Sequence, residues 1–218
     1  MTATITRPNW KKLLLQMLVG AVLGGAATMA VLWAWDDLDP FNPGQMVAFV
    51  TGMIYALMGV MVGAGVIAPV TGAQLLNVED VEDLRDQRTI LGLSSAACVM
   101  IGLLFLTLAA VPAGGTNGPF SREIAATLAG ICLAALIVLT LLTNRRVDEL
   151  TRHISMEASS LAMQSSFVIF GGWAALAHLG FVEWIGPLEL ISGLALIQLL
   201  AIFWVSGKHG LMVPTKAA

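Results

Sequence analysis

Few side chains in this sequence are equipped for chemistry, and most lie in one stretch, residues 144–164, NRRVDELTRHISMEASSLAMQ. Arg145, Arg146, Asp148, Glu149, Arg152, His153 and Glu157 fall within thirteen positions. Read as a helix, the stretch pairs Asp148 with Arg152, Glu149 with His153 and His153 with Glu157 at i,i+4, and Glu149 with Arg152 at i,i+3. Such pairs contribute only ~0.2–0.5 kcal/mol each when exposed. Asp148 and Glu149 also suit the positive end of a helix that starts there. Two specific chemistries fit this pattern: a docking face for a partner, or a carboxylate pair for a cation. A solvated helix start at headgroup level, its arginines facing anionic lipid, is the simpler alternative, because charge at an interface costs little. The candidate interaction face is therefore Asp148, Glu149, Arg152, His153 and Glu157.

A second set consists of polar groups inside apolar runs, where ionisable residues are functional suspects by default. Glu189 lies about one turn and a half into the last run, after Pro187. With Gln164 and Gln198 it forms a candidate intramembrane polar site, the set that would line a path in a small oligomeric transporter. His178 and Glu183 fall toward the same end, yet a metal centre wants three or four ligands at fixed spacing, so no metal is assigned. Ser159, Ser160, Ser165, Ser166 and the two glutamines also suit hydrogen bonding between helices, at ~0.6 kcal/mol per contact. Haem ligation would require histidines inside the runs, and His153, His178 and His209 stand near their ends. An intramembrane serine protease would need Gly-x-Ser-Gly with a partnering His, and Gly92-Leu93-Ser94-Ser95 lacks the second Gly. There is no phosphate-binding Gly-rich loop. No catalytic residue and no cofactor is expected.

The elements that would position these groups follow from composition. The chain has 218 residues, 57% hydrophobic and 11% charged, with a mean hydropathy of +0.84. Soluble domains carry ~25% charged residues. A bilayer core of ~30 Å takes about 20 apolar residues per helix. Six such runs are present, at residues 13–35, 46–70, 90–111, 124–142, 158–179 and 184–206. The expected fold is all-α, a single six-helix transmembrane bundle. Cys98 and Cys132 lie inside apolar runs as small hydrophobes. Gly20 with Gly24 and Gly59 with Gly63 are small-xxx-small pairs that permit close helix crossing, within the bundle or between copies.

Orientation follows Lys and Arg rather than net charge. Arg7, Lys11, Lys12, Arg85, Arg88, Arg145, Arg146, Arg152, Lys208 and Lys216 fall on one side of a six-span chain, and only Arg122 on the other. Both termini and both charged loops are thus expected in the cytoplasm. Val81-Glu82-Asp83-Leu84 and Val147-Asp148-Glu149-Leu150 open these two loops alike, a short internal repeat.

The pattern Asp148-Glu149-Leu150-x-Arg152-x-Ile154-x-x-Glu157-Ala158, followed by the hairpin Leu179-Gly180-Phe181-Val182-Glu183, resembles a family of small, uncharacterised bacterial inner-membrane proteins. That family carries an Asp-Glu-x-x-Arg helix start, a span, a Gly-Phe-aromatic hairpin and a last span. The similarity covers about residue 147 to the C-terminus and departs at Leu150, where an aromatic residue is commoner. It implies location in the bacterial inner membrane. The functional expectation is a non-enzymatic scaffold or accessory subunit using its charged cytoplasmic loops. A small oligomeric permease using Glu189, Gln164 and Gln198 is the alternative. The partners that fit are the lipid bilayer, a further copy of the chain or another membrane protein, and not nucleic acid.

Overall fold

The computed structural model describes residues 43–68, 88–111 and 121–209. The expected first span at 13–35 and the loop opening at Val81 lie outside the described residues. Five α-helices and no strand occur among those described: α1 (Pro43–Ile67), α2 (Arg88–Ala109), α3 (Arg122–Asn144), α4 (Glu149–His178) and α5 (Pro187–Lys208). All five are long and apolar enough to cross a membrane.

Helix boundaries sit where the sequence supplies local signals. Ser121 caps α3 by accepting from the Ile124 N–H, and Asp148 caps α4 by accepting from the Thr151 N–H at 3.3 Å. Such caps satisfy N–H groups that have no partner within the helix. Pro187 follows the Gly186 N-cap of α5, the position where a missing N–H matters least. Beyond α4, the Phe181 N–H reaches the Leu176 carbonyl and the Gly180 N–H reaches the Ala177 carbonyl. This pairing requires the left-handed conformation that Gly180 adopts at φ 78°.

The helix expected to start at Asp148 and Glu149 does so and runs on without a break into the fifth span: α4 is one helix of 30 residues, about 45 Å at 1.5 Å per residue. That exceeds the ~30 Å hydrocarbon core, so its first turns extend beyond it. The last helix begins at Pro187 rather than 184, because the hairpin turn continues to Gly186.

Packing starts from α1, whose small residues admit α2 at close range. A Cβ on Gly52 would meet the Gly102 carbonyl at 3.0 Å, and one on Gly102 would lie 2.6 Å from the Ala56 nitrogen. Gly59 and Gly63 face Ser95 of α2, and the Ser95 hydroxyl donates to the Gly59 carbonyl at 2.8 Å. The second glycine pair therefore joins neighbouring helices of one chain. Gln45 Nε2 donates to the carbonyls of Ala109 and Val111, closing carbonyls left open at the end of α2. These contacts run α1 and α2 antiparallel. Ala48 and Phe49 of α1 cluster with Phe105 and Ala109 of α2, Leu188 and Ala195 of α5 pack against this cluster, and the Tyr55 hydroxyl donates to the Ala195 carbonyl at 2.7 Å. Hence α1 and α5 run parallel. The outer helices each have one main neighbour, α2 for α3 and α5 for α4. Although only a short turn joins α3 to α4, those two do not form an interface.

Candidate functional site

These helix directions gather the charge at one end. Arg88, Arg145, Arg146, Arg152 and Lys208 share the end that also carries Asp148, Glu149, His153, Glu157 and His209. Arg122, Glu123, His178, Glu183 and Glu189 lie at the other. Among the described residues, five of the six Lys and Arg side chains thus fall at one end.

At the charged end, α4 is held to α5 by Ile154 and Ala158 packed against Val205. One turn along, Lys208 Nζ donates to one Glu157 oxygen at 2.6 Å and His209 Nε2 lies 2.7 Å from the other. Glu157 stands just ahead of the apolar part of α4. Hydrogen bonds from Lys208 and then His209 hold its carboxyl well below the usual carboxylate range, at about 2. These are the only ion pairs among the described residues. The local pairings of Asp148 with Arg152, Glu149 with His153 and His153 with Glu157 are not formed. The Asp148 carboxylate serves as the α4 cap instead. Lys208 and His209 were missing from the expected face because they lie 51 and 52 residues away in the chain. Their position at the end of the last apolar run was the available signal.

The pairing has a pH consequence. A carboxyl whose folded pKa is depressed contributes stability above its unfolded value of ~4.3 and loses it as pH falls through the folded value. Acidification from pH 5 toward 2 is therefore expected to loosen the α4–α5 ends. Spin labels on the two helix ends report the separation, and Glu157→Gln should abolish its acid dependence.

The remaining members of the interaction face, Glu149, Arg152 and His153, are exposed. Successive residues turn by 100°, so they lie opposite the stripe of Ile154, Ala158 and Ala162 buried on the α5 side. Ser160, Gln164 and Gly171 continue that outward face toward the far end and are also exposed; a Cβ at Gly171 would meet nothing within 4 Å.

The intramembrane polar set is spread out. Gln164 is exposed on the outer side of α4, while Gln198 is half-buried on α5. Glu189 is not one and a half turns inside a span but in the first turn of α5, since the helix starts at Pro187. Its carboxylate lies against Gly186 and against Gly44, where an added Cβ would be 2.5 Å from the carboxyl carbon. It therefore stands at the N-termini of two parallel helices, whose partial positive charge favours an anion. Glu189→Gln is expected to cost about 0.3–1 kcal/mol, read from unfolding in mixed micelles.

Sequence reasoning did not single out Tyr55, the only tyrosine in the chain. A phenol inside an apolar run needs a partner when buried, and Ala195 supplies it. Ser192 on α5 is fully buried, with no hydrogen-bond partner for its hydroxyl. Both cysteines are free, and no three His, Cys, Asp or Glu side chains converge among the described residues. Comparison of the chain with protein-family models, curated proteins and solved structures gives no match.

Proposed function

We propose that the protein is a non-enzymatic scaffold or accessory subunit of the bacterial inner membrane, with both termini cytoplasmic and related to the family its C-terminal half resembles. The orientation rests on the gathering of Arg88, Arg145, Arg146, Arg152 and Lys208 at one end. The observation that carries the docking role is the outward face of the first turns of α4. There Glu149, Arg152 and His153 are exposed and make no ion pair with another described residue, while Asp148 and Glu157 fix the helix that presents them. A partner carrying the opposite arrangement of charge would meet a face already set on a formed helix and left exposed among the described residues, which lowers the ordering cost of binding.

The test is purification from the native membrane in nanodiscs, followed by native mass spectrometry. A stoichiometric protein partner is expected with the wild-type chain and should be lost from Glu149→Lys/Arg152→Glu at unchanged expression. A lone chain, or a homo-oligomer without another protein, would overturn the reading. The alternative is a permease working as an oligomer, with Glu189, Gln164 and Gln198 lining a cavity shared between copies, and a homo-oligomer in the same experiment would favour it.

A further inference from the structure

The turn between α3 and α4 is positive on balance, because Arg145, Arg146 and Arg152 outnumber Asp148 and Glu149. Arg145 and Arg146 follow the last turn of α3, with the Arg146 N–H bonded to the Thr143 carbonyl at 2.9 Å. Arg152 lies one turn into α4, its N–H bonded to the Asp148 carbonyl. All three side chains are exposed and none forms an ion pair with another described residue. Asp148 is committed to capping Thr151, and Glu157 to Lys208 and His209. Asp148 and Glu149 both stand at the positive first turn of α4, which leaves the three guanidinium groups in excess.

Just beneath this corner the surface turns apolar. Ile137, Val138 and Leu141 of α3 are more than half exposed, as are Leu150 and Met156 of α4. The two helices share a turn but no extensive interface, and these exposed apolar side chains lie within a few turns of the arginines on both. A guanidinium presents a planar fork of donors matched to phosphate oxygens, and basic recesses between spans are suited to anionic headgroups. From this juxtaposition we infer that the α3–α4 corner is a binding site for an anionic glycerophospholipid. Its phosphate would be held by Arg145, Arg146 and Arg152, and its acyl chains would lie along the exposed sides of α3 and α4. The inference depends on the chain spanning a membrane but not on a protein partner.

It is tested on the purified full-length chain, with no partner present. Thermal unfolding is followed as phosphatidylglycerol or phosphatidylcholine is titrated into neutral-detergent micelles. Phosphatidylglycerol should raise the midpoint by several degrees more than phosphatidylcholine does. That difference should fall by at least half in Arg145→Gln/Arg146→Gln and vanish when Arg152→Gln is added, while lysine at the same positions retains part of it. Native mass spectrometry of the wild-type chain gives a second measurement that needs no variant: phosphatidylglycerol adducts should persist at collision energies that strip phosphatidylcholine. Equal response to the two lipids, an undiminished response in the glutamine variants, or full reproduction of the shift by inorganic phosphate would each overturn the site.

Discussion

Gly102→Val is expected to separate α1 from α2 and to destabilise the bundle by about 3 kcal/mol or more, the upper end of overpacking costs. A Cβ at this position would lie 2.6 Å from the Ala56 nitrogen and 2.8 Å from its Cα. Both are backbone atoms, so no rotamer change relieves the clash and one helix must translate. Moving α2 outward would also break the hydrogen bonds from Ser95 to Gly59 and from Gln45 to Val111. In a bilayer the apolar surfaces so released find lipid as agreeable as protein, and close packing with interhelical hydrogen bonds is what holds spans together. Denaturant titration in mixed micelles reads the loss. Gly130→Ala on α3 is the matched control. No atom lies within 4 Å of its added Cβ, and helix propensity alone should leave stability unchanged or raise it by up to about 1 kcal/mol.

Ala158→Phe should detach α4 from α5 at a cost of about 1–3 kcal/mol. Ala158 is 1% exposed and packed with Ile154 and Val205, and α5 is the one helix with which α4 shares an extensive interface. A ring at this position forces the two axes apart, and the contacts of Glu157 with Lys208 and His209 depend on their closeness. Two readouts should move together: the unfolding midpoint falls, and the distance between spin labels at the α4 and α5 ends lengthens at neutral pH as acid alone would lengthen it in the wild-type chain. A lower midpoint with an unchanged distance would show that the interface repacks around the ring.

Spans are legible in this sequence because their signal is a length of apolar residues, and a bilayer thickness is the only ruler needed. The α4 start was legible for the same local reason: Asp148 is a helix-capping residue followed by a helical pattern, and it caps. What the charged stretch does with its side chains was not legible. Its i,i+4 pairs were visible in sequence, but each contributes only a few tenths of a kcal/mol when solvated. Glu157 instead meets two cations brought to it by tertiary packing. Glu189 shows the same limit. Its closeness to Gly44 arises from α1 and α5 running side by side, which no spacing within either helix encodes. Gly59 and Gly63 were recognisable as a surface for close approach, whereas the identity of the approaching helix depended on which neighbour offered Ser95.

The parallel pairing of the first and last described helices also fixes when the bundle can close. Tyr55 and Ala195 are 140 residues apart in the chain, so the contacts between α1 and α5 cannot form while α2, α3 and α4 leave the ribosome. At about 5–20 residues per second the 140 residues take roughly 7–28 s. Throughout that time the phenol of Tyr55 lacks the carbonyl it finally meets. α4 likewise waits for the helix that follows it. Among the described helices α5 is thus the last piece, the one that completes the contacts of both α1 and α4.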